Sequence, residues 1–184
     1  MPTNPCLNFF EENRGNKDKV KALIATGAGD GWYENGLTAS PWSPGAVDLE
    51  EEIARQVHSP LHWDEELRQI KLGFFDDLTG QGLSVNRLAH TNLERLAIVS
   101  RERAEKRGRE AIGFVVARVT QLIEVMRAIQ DGSGAVFDTA NEDDISHADV
   151  CQTKGAKAVG RAMRQDLFEA LKGNFSPYRL ESEA

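Results

Sequence analysis

The chain has few cysteines and no long apolar run, and each absence excludes a class of protein. Its 184 residues include only two cysteines, Cys6 and Cys151, which form no CxxC pair. Two distant thiols do not provide a zinc-ligand set, and we expect neither a metal site nor a structural disulfide. No stretch of about 18 apolar residues is present to span a membrane. Residues 1–19 also lack the basic-then-apolar order of a signal peptide, so we expect a cytoplasmic protein.

Positive charge is also scarce, with 22 Lys and Arg against 29 Asp and Glu and a formal net charge of −7. This balance argues against a protein whose whole surface binds nucleic acid, because phosphate contacts need clustered cations. Two local segments are basic. Residues 101–109 contain five cations against two acidic residues, namely Arg101, Arg103, Lys106, Arg107 and Arg109. The last helical segment contains Lys154, Lys157, Arg161, Arg164 and Lys172. The simpler interpretation of both is a solvated helix face with internal ion pairs.

With 40% hydrophobic and 28% charged residues, the composition indicates one soluble globular domain that buries its own core. The distribution of turn-forming residues divides the chain into an N-terminal arm (1–47), a domain (48–175) and a C-terminal tail (176–184). The arm is rich in glycine and carries the aromatic residues Phe9, Phe10, Trp32, Tyr33 and Trp42. It is too aromatic for a plain disordered tail, so we expect it to pack on the domain or on a partner.

Local patterns within residues 48–175 predict an α+β fold. DLEEEIARQV favours a helix that begins after Asp48, although its end is equally compatible with a strand, and LHWDEELRQI is typical of a helix. LGFFDDLTGQGLSVNRL predicts two extended pieces around a glycine turn. TNLERLAIVSRERAEKRG predicts a helix capped at Thr91, AIGFVVARV a buried strand, and QLIEVMRAIQ a helix after Thr120. GAVFDT and HADVCQT predict a hairpin, and TKGAKAVGRAMRQDLFEALKG a last helix. We expect one small mixed sheet packed by three or more helices.

Four residues carry the candidate chemistry: His58, Ser84, Arg87 and His147. Imidazoles titrate near neutral pH and a guanidinium binds anions, so this set could act on a phosphate or ribose ester if its members converge. In the stretch GLSVNRLAH we expect Leu83 and Val85 in the core, with Ser84 and Arg87 together on the other side of a strand. His58 and His62 have the spacing of metal ligands on a helix, but Pro60 between them favours a turn, and no third ligand is marked.

The segments RQVHSP and LSVNR, and HADV followed by a basic helix, resemble those of a group of short uncharacterised bacterial proteins. That resemblance covers residues 53–170 in outline and marks Arg55, His58, Ser84 and His147, but it implies no activity. The order of an early Arg or His, a middle Ser and a late His is also similar to small ADP-ribosyl or RNA 2′-phosphate transferases. The glutamate or paired arginines of those enzymes have no counterpart here.

No complete catalytic motif is present, so whether the chain is an enzyme stays open. The first hypothesis is a partner-binding accessory component of a bacterial multiprotein system, such as a mobile-element or defence system, that contacts another protein through residues 1–47. The alternative is a small enzyme of the nuclease or transferase kind that uses His58, Ser84, Arg87 and His147. A second alternative is contact with nucleic acid through residues 101–109. None of the three requires a cofactor.

Overall fold

The computed structural model describes residues 4–178. Its helices are α1 (Pro5–Glu12), α2 (Lys19–Thr26), α3 (Gly29–Glu34), α4 (Leu93–Glu105), α5 (Val119–Arg127), α6 (Lys157–Leu171) and a 3₁₀ helix (Leu72–Thr79). Its strands are β1 (Glu52–Ser59), β2 (Trp63–Asp64), β3 (Gln69–Ile70), β4 (Leu83–Arg87), β5 (Glu110–Arg118), β6 (Ser133–Asp138), β7 (His147–Lys154) and β8 (Phe175–Pro177). The predicted α+β class is confirmed.

The main sheet has six strands in the order β6-β7-β4-β1-β5-β8, and β2 and β3 form a separate two-stranded sheet. Every neighbouring pair is antiparallel, so the predicted mixed sheet is corrected to an antiparallel one. The helix α4 connects β4 to β5, and a strand–helix–strand connection of this kind can join parallel neighbours. These two strands are not neighbours, because β1 lies between them and pairs with both.

Helices cover both faces of the main sheet. On one face, α5, α6 and the 3₁₀ helix enclose the largest core cluster, which includes Phe74, Val85 and Leu167. We call this the α5–α6 face. On the opposite face, α1, α2 and α3 pack over β6 and β7, and α4 packs over β1 and β5. The central strand β4 lies between these two helical covers.

The predicted N-terminal arm packs on the sheet of its own chain. The side chain of Asn4 caps α1 by accepting a hydrogen bond from the Leu7 amide at 3.1 Å, and α2 ends at Gly27 with a φ of 65°. Phe10 is 6% exposed and its ring centroid lies 4.9 Å from that of Phe137 in β6. Phe9, Trp32 and Tyr33 pack against the same core cluster, whereas Trp42 is exposed.

Three segments differ from their predicted secondary structure because tertiary pairing overrides local propensity. Residues 52–59 form β1 rather than a helix, and β1 pairs with β5 along its whole length. The acidic start of this segment forms a turn, in which Asp48 accepts a hydrogen bond from the Glu50 amide at 2.8 Å. Residues 61–70 contain the β2–β3 hairpin instead of a helix, and residues 72–79 are a 3₁₀ helix instead of a strand.

The later predictions are confirmed with small shifts. The helix α4 is capped by Asn92, one residue after the expected Thr91. The buried strand β5, the helix α6 and the β6–β7 hairpin lie where the patterns place them, whereas α5 begins at Val119, so that Thr120 is its second residue and not its cap. Of the predicted tail, residues 176 and 177 belong to β8, which pairs with β5, and residues 179–184 lie outside the described residues.

Neither thiol is bonded, and both are buried: Cys6 in α1 and Cys151 in β7 belong to the same core cluster. Burial raises the pKa of the Cys6 thiol to about 12, so it stays protonated at neutral pH. Among residues 4–178, no helix is both long enough and apolar enough to cross a bilayer.

Candidate active site

Ser84 and His147, two of the four predicted site residues, meet on the surface of the main sheet. The strands β4 and β7 are paired with Ser84 opposite Asp149 and Asn86 opposite His147. Since side chains alternate along a strand, Val85 enters the core and Ser84 points to the opposite face. The Ser84 Oγ lies 2.7 Å from the His147 Nε2. A hydroxyl hydrogen-bonded to an imidazole is the arrangement of a nucleophile with its general base.

The orientation of His147 is fixed by Thr139, the residue that follows β6. The His147 Nδ1 lies 3.2 Å from the Thr139 carbonyl oxygen and 2.9 Å from its Oγ1. Because a carbonyl oxygen only accepts, a proton on Nδ1 satisfies this contact and leaves Nε2 unprotonated. The neutral imidazole can then accept the hydroxyl proton of Ser84.

A cavity of about 370 Å³ adjoins His147, between the N-terminal segment and the β6–β7 hairpin. Its lining includes His147 and Asp149 from the sheet, with Arg14 and Lys19 from the N-terminal segment. The Lys19 Nζ donates to the Asp149 Oδ2 at 2.7 Å, and the other Asp149 oxygen lies 3.9 Å from the His147 Nε2. The predicted arm therefore forms one wall of the candidate site.

Two neighbours hold the local backbone in place. The side-chain Nδ2 of Asn86 donates to the Asp144 Oδ2 at 3.0 Å and to the Ser146 Oγ at 2.9 Å. These two hydrogen bonds tie the loop before His147 to β4. Gly82 has a φ of 94°, and a Cβ there would lie 3.1 Å from the Cβ of Asp149. Only glycine adopts this conformation without strain and leaves room for Asp149.

Arg87 does not join the site, and the expectation that it shares a side with Ser84 is wrong. It lies three residues after Ser84 in the same strand, and an odd separation places two residues on opposite faces. Its side chain is 2% exposed and donates to both carboxylate oxygens of Glu51, at 2.8 and 2.6 Å. Arg87 thus forms a buried ion pair on the α5–α6 face.

His58 does not contact the pair either. It is buried near the end of β1, and its Nε2 lies 3.0 Å from the Ser100 Oγ of α4. The His62 Nδ1 accepts a hydrogen bond from the His58 amide at 3.2 Å, and the two rings stack with centroids 5.7 Å apart. The segment is a turn, as Pro60 indicates. Among residues 4–178, no group of three or more His, Cys, Asp or Glu residues is arranged to hold a metal ion.

The two stacked histidines should make stability depend on pH. Burial, and then the charge of Arg55, lower the pKa of His62 from 6.5 to about 3. Burial, followed by the charge of Arg109, also lowers the pKa of His58. In the unfolded chain both histidines bind protons below about pH 6.5, whereas the folded chain resists protonation. The free energy of unfolding is therefore at its full value above pH 6.5 and falls as the pH drops below it.

Urea unfolding between pH 7.5 and 5.5, a window above the ordinary range of carboxylates, measures this effect. His62→Asn keeps an acceptor for the His58 amide and removes one titrating group, so its stability should fall less steeply. If the free energy of unfolding fell equally steeply with pH in the variant and the unaltered protein, His62 would not be a source of the pH dependence.

The five cations of residues 101–109 lie at the C-terminal end of α4 and in the turn after it. Arg101, Arg103, Lys106 and Arg107 are exposed and Arg109 is half-buried. They are therefore placed on the surface, as nucleic-acid contact requires.

Sequence reasoning missed Lys19, Thr139 and Asp149. Lys19 and Asp149 are 130 residues apart, and no local pattern links them. Asp149 had one signal, because it follows His147 by two residues in a strand and so shares its face. Comparisons of the chain with protein-family models, with curated proteins and with solved structures found no match.

Proposed function

We propose that the chain is a small enzyme that cleaves a phosphate ester, with Ser84 as nucleophile and His147 as its general base. The observation that carries the proposal is the 2.7 Å contact between the Ser84 Oγ and the His147 Nε2 beside a cavity. Ser84 is exposed, so a substrate can reach its oxygen. A reactive pair within hydrogen-bond reach, with the base held by a third group, is the geometric mark of nucleophilic catalysis.

The reaction follows from this geometry. The Ser84 oxygen attacks phosphorus while its proton passes to the His147 Nε2, and the phosphorus–oxygen bond to the leaving group breaks. His147 then gives the proton to the leaving oxygen. Water attacks the phosphoserine in a second step, His147 takes a proton from that water, and phosphate leaves. The Ser84 oxygen recovers its proton from His147, which restores the starting state.

The cavity lining contains two cations, Arg14 and Lys19, and two carboxylates, Glu11 and Asp149, and the two cations are the groups available to an anionic substrate. Arg14 is exposed at its edge, and Lys19 lies deeper, paired with Asp149. A guanidinium binds phosphate oxygens in bidentate fashion, and a second cation stabilises the charge that develops during transfer. The Lys19–Asp149 pair also keeps the carboxylate neutralised beside His147. Arg14 and Lys19 thus take the anion-binding role that the sequence assigns to Arg87.

A fluorophosphonate probe tests the proposal without a known substrate. An activated serine forms a bond to its phosphorus and releases fluoride, so peptide mapping should find the label on Ser84. Ser84→Ala should remove the label, and His147→Gln should slow labelling by about 10²–10⁴-fold. The same variants should lower the rate of 4-nitrophenyl phosphate hydrolysis.

Ser176 provides the matched control, because it is an exposed strand serine in β8, three strands away from β4. Ser176→Ala should leave labelling and hydrolysis unchanged. Label on another residue, or a rate that does not depend on Ser84, would overturn the assignment.

Partner binding through residues 1–47 stays a second proposal. Its support is Trp42, which is 47% exposed, whereas Phe10 and Tyr33 of the same segment contact Phe137 inside the chain. The two free cysteines support a reducing compartment such as a bacterial cytoplasm for either role.

A further inference from the structure

We propose that the C-terminal end of α4 is a nucleic-acid-binding surface. It consists of Arg101, Arg103, Lys106, Arg107 and Arg109, and we call it the α4 basic surface. This proposal is independent of the chemistry at Ser84.

The cations of the α4 basic surface have no ion-pair partners. Within residues 4–178, no carboxylate lies within 4.0 Å of any of the five, although Glu102 and Glu105 are interleaved with them. Other surface cations do pair, for example Arg127 with Glu34 at 3.2 Å. The simpler interpretation of residues 101–109, a solvated helix face with internal ion pairs, therefore does not describe this surface. In a chain with a net charge of −7, an unpaired cluster of this kind offers a local site for a polyanion.

The turn after α4 keeps Arg107 and Arg109 close to the end of the helix. The amides of Arg107 and Arg109 both donate to the Ala104 carbonyl, each at 2.9 Å, so the chain turns back on the end of α4. Gly108, with a φ of 61°, permits this turn. Arg101 lies one turn earlier in the helix, with its guanidinium 5.1 Å from the ring centre of Tyr178. The aromatic ring holds that guanidinium in position.

The cations also raise the electrostatic potential around His58, near the end of β1. Burial lowers the pKa of His58, and the positive charges of Arg109, Arg107, Arg55 and Arg103 lower it further. Three of the five side chains therefore act on the same region of β1 at once. Such a combined field attracts a chain of phosphates more strongly than a single anion.

Arginine content distinguishes nucleic acid from a lipid surface as the partner. Four of the five cations are arginines, whose planar fork matches phosphate oxygens. A helix that inserts into a membrane needs a row of exposed apolar side chains. Among the described side chains of α4, Ile98 is the one large apolar residue that is exposed. The surface is therefore suited to a phosphate backbone.

Fluorescence anisotropy with labelled single-stranded and duplex oligonucleotides at low salt tests the proposal. Binding should weaken steeply as salt rises, because neutralised phosphates release counterions. The double variant Arg103→Glu with Arg107→Glu should weaken binding by about tenfold or more. A plot of the logarithm of the binding constant against the logarithm of the salt concentration should also become less steep, by about one for each phosphate that is no longer neutralised.

The matched control is Lys157→Glu with Arg161→Glu, which changes the net charge by the same amount on the exposed face of α6. It should weaken binding far less. Circular dichroism and thermal unfolding check that both double variants stay folded, as exposed positions allow. No binding by the unaltered protein, or equal weakening in the two variants, would overturn the proposal. So would equal or tighter binding to vesicles of phosphatidylserine and phosphatidylcholine, which would assign the surface to lipid.

Discussion

Deletion of residues 1–45 is expected to leave a chain that does not fold cooperatively. The removed segment supplies Cys6, Phe10, Val20 and Leu23, all at most 6% exposed, to the core over β6 and β7. Burial of one such apolar side chain contributes roughly 1.5–3 kcal/mol. Loss of several such side chains would remove most of a free energy of unfolding of about 5–15 kcal/mol. The deletion would also expose Phe137 on the sheet.

Urea unfolding followed by circular dichroism measures this effect. Phe10→Ala is the milder version and should cost about 3–5 kcal/mol, whereas Glu12→Ala, on the exposed side of the same helix, should change stability little. A truncated chain with an undiminished cooperative transition would show that the segment is separable. In that case its role in partner binding would gain support.

The sequence predicts an element well where the signal for it is local. The helix α4 has an N-cap, an acidic first turn and a glycine after its end, and each of these acts within a few residues. The strand β1 has no such signal, because its acidic start imitates the first turn of a helix. Pairing with β4 and β5 decides its conformation, and those strands lie tens of residues later.

The candidate site was predictable only in part. Ser84 and His147 are polar residues in two segments whose patterns predict strands, so a sheet could bring them together. Alternation along β4 already separates Ser84 from Arg87, and this period-two rule was sufficient to exclude Arg87. The contact between Lys19 and Asp149 depends on how α2 docks on the sheet, which no pattern in either segment encodes.

Arg87→Met is expected to destabilise the fold by about 3–5 kcal/mol, because it leaves buried carboxylates without their cation. The guanidinium donates to both oxygens of Glu51 and to the Gly45 carbonyl oxygen at 2.7 Å, and it lies 3.6 Å from the Asp138 Oδ1. Burial would raise the pKa of Glu51, but the hydrogen bond and charge of Arg87 hold it below its usual value. Methionine has a similar volume to arginine, so the packing is largely kept. The loss of stability then measures the loss of the positive charge and its hydrogen bonds.

Two comparisons isolate that cause in urea unfolding. Arg118→Met removes an exposed arginine that lies 3.8 Å from Glu50, and it should cost only about 0–1 kcal/mol. Adding Glu51→Gln and Asp138→Asn to Arg87→Met should recover part of the stability, because the stranded carboxylates are then neutral. A cost below about 1 kcal/mol for Arg87→Met would contradict the buried network. Under conditions where Arg87→Met stays folded, fluorophosphonate labelling of Ser84 should continue, because Arg87 lies on the opposite face of the sheet and stabilises the fold without contacting the reacting atoms.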